Sequence, residues 1–138
     1  MLQAGRYKQT EIITADRTRI VIMLYEGAGN FLEIGRDKMV ANDIPGKALY
    51  LDKATAVISE LICSLDMESG GEIARNLRRL YDFMISQIAE ANMRNEREPV
   101  DVVLKLLETL REGWEEVLRQ ESAVLAATSE PNENASRV

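Results

Sequence analysis

Histidine is absent from these 138 residues. That absence removes Ser-His and Cys-His nucleophilic pairs, phosphotransfer through a histidine, and the Glu-x-x-His ligand pattern of di-iron bundles. Cysteine occurs once, as Cys63, so no intrachain disulfide can form and the reducing cytoplasm is the expected location. Aromatic residues make up 5% of a chain that is 46% hydrophobic, and prolines number three, a balance that favours helices over a sandwich or barrel. Alternating Val, Ile and Thr, the mark of strands, is lacking too. No run approaches the roughly 20 apolar residues of a membrane span, and the first residues lack the charged-then-apolar layout of a signal peptide. Basic excess is also missing. A formal charge of −6 argues against nucleic acid, whose phosphates require a basic footprint, and against insertion at an acidic membrane surface.

What is present is helical periodicity. Residues 16 to about 41 carry Ile20, Val21, Leu24, Ala28, Phe31, Leu32, Gly35 and Met39 on one face, with Asp16 placed to cap the helix. Gly27, Gly29 and Gly35 weaken its interior, which points to close approach by a neighbouring helix at one or more of them. Asn42 and Asp43 end this helix and cap the next, to about residue 66, with Pro45 in its first turn and Leu51, Ala54, Ile58, Leu61 and Leu65 spaced by three and four. Ser69 followed by Glu72 has capping-box spacing and opens a third helix over 70 to 94, with Ile73, Leu77, Leu80, Met84, Ile88 and Ala91 inward, flanked by Tyr81 and Ile85. Asn95 ends it. Glu98 and Pro99 start a fourth, whose seam is Val100, Val103, Leu107, Leu110, Trp114 and Val117. Short connections make sequential helices antiparallel, so the expected fold is all-α, an up-down four-helix bundle over 16–121. Residues 1–15 read as an irregular N-terminal arm, too apolar at Leu2, Tyr7, Ile12 and Ile13 to be a solvated tail, and 122–138 as a disordered tail.

Candidate chemistry is sparse. Glu112, Glu115 and Glu116 fall at the spacing of a solvated helix face, and no catalytic residue, cofactor or metal ligand is assigned. Arg75, Arg78 and Arg79 with Glu72 form the one cluster from which an enzymatic cleft can be imagined, but charge on an exposed helix face is the commoner reason for such a run. More informative are apolar residues outside the four stripes: Ile22, Met23, Ile34, Leu49, Val57, Phe83, Met93, Val102 and Leu106. Taken together they suggest grooves that receive the amphipathic helices of a partner. Gly70 and Gly71 leave the opening turn of the third helix bare, so another chain can approach it closely. The partner-binding candidates are accordingly Tyr7, Ile12, Ile22, Met23, Gly70, Gly71, Ile73, Phe83, Val102 and Leu106. Two alternatives stay open, an adaptor or dimerisation bundle that presents the same residues to a second copy, and a small all-α enzyme.

The segments AGRYKQTEI, IVIMLYEGA followed by FLEI, ISELICSLDMESGGEIARNLRRLYDFM and LLETLREGWEEV, in this order, resemble the FliS family of flagellin export chaperones over about residues 1–120. The resemblance implies a cytoplasmic helical bundle that binds the disordered C-terminal segment of flagellin, prevents its premature polymerisation and delivers it to the export gate of the flagellar type III apparatus. It also implies an anti-sigma factor as an occasional further partner. Two departures bear on how the first helix starts: Asp16-Arg17 stands where family members often have Ser-Pro, and Leu2 where a second tyrosine is common.

Overall fold

Asparagines in left-handed conformation end two of the helices. Asn42 (φ 61°) terminates the first and Asn95 (φ 53°) the third, a backbone region that asparagine tolerates better than most residues. Between them, Asp43 caps the second helix by accepting the Gly46 amide at 3.0 Å, with Pro45 in the first turn. The computed structural model describes the backbone of residues 2–137 and the side chains of 15–127. Its elements are α1 (Leu2–Val40), α2 (Ile44–Cys63), α3 (Gly71–Arg94) and α4 (Glu98–Arg137). No strand occurs among the described residues.

The chain divides into two units. Leu24–Leu110 is an antiparallel four-helix bundle, and two polar contacts show its polarity. Arg36 near the end of α1 pairs with Asp101 at the start of α4 at 2.8 Å. Lys47 at the start of α2 donates to the Asn92 carbonyl at the end of α3 at 3.0 Å. The core is made of Tyr25, Ala28, Leu32 and Met39 of α1; Leu51, Ala54, Ile58 and Leu61 of α2; Ala74, Tyr81, Met84, Ile88 and Ala91 of α3; and Val100, Val103 and Leu107 of α4. The seam expected for α2 is thus the buried one except for Leu65, which lies half-buried beyond the end of the helix, whereas of the α4 seam Val100, Val103 and Leu107 are buried and Leu110, Trp114 and Val117 are half-buried. Gly35 allows the close α1–α2 approach that its helix position suggested, since a Cβ there would meet the Leu51 Cδ2 at 2.9 Å. In the other unit, Met1–Met23 with Arg111–Val138, the described residues Ala15, Thr18 and Ile22 are buried, and the Thr18 hydroxyl donates to Glu121 Oε1 at 3.2 Å.

Several expectations differ from the structure. The stretch expected as an irregular arm has helical backbone from Leu2, continuous with α1, and Asp16 is not a cap but an ion-pair partner of Arg19 at 3.0 Å. The stretch expected as a disordered tail is helical to Arg137. In the N-terminal stretch, Gln, Arg, Lys, Glu and Ala keep good helix propensity without an apolar stripe; nothing in the sequence around Pro131 accounts for the helical backbone there. The side chains of Leu2, Tyr7, Ile12 and Ile13 lie outside the described residues.

The buried face of α1 is rotated from the expected one: Ile20 is 55% exposed and Ile22 only 8%, with Thr18 and Tyr25 buried beside it. Their hydroxyls are hydrogen-bonded, which removes the penalty that an apolar-only stripe assumes for them. In α3, Ile73 is 71% exposed and Ala74 takes the core position.

The α2–α3 corner also differs from the expected one. No capping box forms, because the Asp66 carboxylate takes the turn's donors instead: the amides of Glu68 and Ser69 at 3.2 and 3.1 Å and the Ser69 hydroxyl. Gly70 is the helix cap, with its amide on the Asp66 carbonyl at 2.8 Å. A Cβ on Gly70 would stand 2.4 Å from that carbonyl and 2.6 Å from the Ala74 Cβ, and Gly71 has φ +59°. The corner therefore requires glycine at 70, where any side chain would collide with the Asp66 carbonyl.

Candidate functional site

Where α2 and α3 pack, their flanking residues leave an open groove of about 260 Å³ lined by Leu51, Asp52, Thr55, Ile85, Ile88, Ala89, Asn92 and Met93. Its origin is local. Leu51 and Ile88 belong to the buried seams and form the floor. Thr55 and Ala89, one step around each helix, are short and leave a shallow furrow above Leu51 and Ile88, which themselves remain buried. Ile85 and Met93 stand on the α3 wall, and Met93 is 79% exposed. An unsubstituted Met at such exposure offers a flexible, polarisable contact that adapts to another chain. The polar groups are few: Asp52 and Asn92 at the margins and the Thr55 hydroxyl, which is committed to the Leu51 carbonyl at 3.1 Å. Such a surface binds apolar side chains and has no converging acid, base and nucleophile.

Of the candidate residues, none lines this groove. Ile73 and Phe83 (43% exposed) fall on the flank of α3 away from it. Val102 (38% exposed) and the half-buried Leu106 occupy the flank of α4 opposite Leu104, the residue that approaches Gly29 of α1. Met23 is 68% exposed in its own unit. Ile22 is a correction: its side chain is buried and offers no surface to a partner. Gly70 is exposed and Gly71 half-buried at the corner, where the chain's own geometry already requires them. Tyr7 and Ile12 lie outside the residues whose side chains are described. Met93 is legible in the sequence from its position off the inner face of α3, as are Leu49 and Ile34, which are 52% and 37% exposed. Ile85, Thr55 and Ala89 are not. The signal that identifies them is small residues on one flank of two neighbouring seams, which leaves a furrow beside an apolar floor.

Electrostatics adds little chemistry. Arg75, Arg78, Arg79 and Glu72 are exposed, Arg78 is paired with Asp82 at 3.2 Å, and none of them lines the groove. Burial, together with the neighbouring Tyr25 hydroxyl, holds the Tyr81 phenol above its ordinary range. No group of three metal-ligating side chains occurs among the described residues, and no helix among them is long and apolar enough to cross a membrane.

Comparison with known proteins places this arrangement. Residues 1–121 match the family model described as flagellar protein FliS. The chain is 37% identical over 108 residues to the flagellar secretion chaperone FliS of Vibrio cholerae, covering 78% of this chain and 79% of that one. It is 34% identical over 110 residues to the protein of the same name from Salmonella typhimurium, covering 79% and 82%. In three dimensions it is similar to a crystal structure of a bacterial flagellar chaperone, with a TM-score of 0.74 at 22% identity over 86% of this chain and 98% of the other. At that identity the structural match speaks for the fold, and the sequence matches carry the assignment: the chain belongs to the FliS family of flagellar secretion chaperones.

Proposed function

We propose that the chain is a cytoplasmic export chaperone, without enzymatic activity, that holds the disordered C-terminal segment of flagellin and delivers it to the flagellar type III export gate. The observation that carries this reading is the α2–α3 furrow, with an exposed methionine wall above a buried apolar floor, on a member of the FliS family. An amphipathic helix of the partner lays its apolar side into such a furrow with side chains spaced by three and four. Masking those side chains keeps flagellin molecules from pairing with one another, and no bond needs to be made or broken. Met23, Ile73, Phe83, Val102 and Leu106, with the bare Gly70–Gly71 turn and Tyr7 and Ile12 of the N-terminal stretch, supply further contacts along a segment that wraps more than one face. Ordering the segment costs on the order of 2–5 kcal/mol, which the buried apolar area must exceed. An anti-sigma factor is an occasional further partner in this reading.

Calorimetric titration of the purified chain with the C-terminal segment of flagellin tests it. One-to-one binding with a negative heat-capacity change is expected, because apolar surface leaves water on both partners. Absence of heat and of any chemical-shift change would remove the assignment. A stable dimer of the free chain in sedimentation, competing with the segment, would favour the dimerisation bundle instead.

A further inference from the structure

Lys47, in the first turn of α2, is buried to 3% exposure. Its ammonium donates to the Asn92 carbonyl at 3.0 Å and to the Asn95 Oδ1 at 3.1 Å. Both acceptors belong to the C-terminal end of α3, where unpaired carbonyls and the helix dipole favour a cation. Both are also neutral. A desolvated ammonium held by neutral acceptors is a weak source of stability, and a well-packed apolar side chain in such a place often does as well or better. What the lysine supplies instead is register, because two directed hydrogen bonds from one side chain fix how far the end of α3 stands from the start of α2.

That end of α3 is also the end of the groove. Asn92, whose carbonyl Lys47 holds, lines it together with Met93, and Leu51, one turn beyond Lys47 on α2, lines its floor. Asn95, the second acceptor, is the left-handed residue that terminates α3 just past this wall. We propose that Lys47 is a positioning residue for partner binding, setting the spacing of α2 and α3 at this end so that an incoming apolar helix seats between Thr55 and Met93, above the buried Leu51. The inference rests on the reading that the α2–α3 groove is the binding surface.

The test uses the full chain and the C-terminal segment of flagellin, with affinity from calorimetry and stability from thermal unfolding on each variant. Lys47→Met keeps the length of the side chain and removes its donors; affinity is expected to fall about tenfold with the melting temperature unchanged or raised. Asn95→Gly keeps the left-handed cap and removes one acceptor. It is expected to weaken binding in the same direction, and the double variant to bind no worse than Lys47→Met, since both changes break one linkage. Val103→Ala, in the α4 core away from the groove, should lower the melting temperature and leave affinity at the wild-type value. Wild-type affinity in Lys47→Met, or a loss that merely tracks stability as in Val103→Ala, overturns the proposal. If Lys47→Met does not fold, wild-type affinity in Asn95→Gly overturns it alone. Met93→Glu separates the two levels: lost binding there with wild-type binding in Lys47→Met rejects only the positioning role, whereas wild-type binding in Met93→Glu rejects the groove and the proposal with it.

Discussion

The hydroxyls of Tyr25 in α1 and Tyr81 in α3 lie 2.5 Å apart in the core, each residue 1% exposed, with ring centroids at 6.3 Å and planes inclined by 57°. The pair crosses the bundle diagonally and lets two amphipathic side chains replace purely apolar ones. Its hydrogen bond matters more as a specification than as a gain, because an incorrectly rotated α1 would leave a hydroxyl in the core. Tyr25→Phe strips Tyr81 of this partner and is expected to destabilise by about 1–3 kcal/mol in chemical unfolding. A neutral outcome would mean that Tyr81 reaches water or another acceptor.

The same pair predicts a pH dependence. Burial first, and the Tyr25 hydroxyl second, raise the Tyr81 phenol above the ordinary value of 10.0. Below that value folded and unfolded chains both keep the proton and the contribution is fully present. Above it the unfolded chain releases the proton while the folded chain retains it, so stability falls as pH rises, by at most about 1.4 kcal/mol per unit from this group. Unfolding free energies of wild type and Tyr81→Phe at about pH 9 and about pH 11 measure the difference. The variant should lose less stability over that interval, and identical losses would contradict the assignment.

Two glycines inside helices should respond oppositely to alanine. A Cβ at Gly35 would meet Leu51 Cδ2 at 2.9 Å and Cγ at 3.3 Å, and Leu51 is buried to 1% exposure with little room to yield. Overpacking of that kind costs about 1–3 kcal/mol and outweighs the gain in helix propensity of about 1 kcal/mol. Gly113 has nothing within 4 Å of its notional Cβ. Gly113→Ala should therefore stabilise by up to about 1 kcal/mol. Thermal melting of both variants checks the two signs.

Surface and core substitutions should separate binding from stability. Met93→Glu, at a position 79% exposed on the groove wall, is expected to weaken binding of the flagellin segment by about 1 kcal/mol or more, with melting nearly unchanged. Met23→Glu (68% exposed) tests in the same way whether a second face takes part. Leu61→Ala, in the core at 1% exposure, should instead destabilise by about 2–5 kcal/mol through the cavity it leaves. Unfolding of the chain by Met93→Glu would show that this wall is core and not surface.

Local rules were enough for the helix count, for the turns at Asn42, Asp43, Asn95 and Glu98, and for the seams of α2 and α4, because a cap, a left-handed asparagine or a three-four spacing acts within a few residues. The motif string from the first helix through the SLDMESGGEIA corner likewise carried the family by itself. Tertiary structure decided the rest. The face of α1 that points inward depended on whether Thr18 and Tyr25 would find partners on other helices, at Glu121 and Tyr81. Lys47 could be buried only because the end of another helix presents acceptors to it, and the groove exists only because Thr55 and Ala89 are short on facing flanks. Each of these depends on the distance between residues far apart in sequence, and helical periodicity, which records the angle of a residue about its own axis, holds no term for that distance.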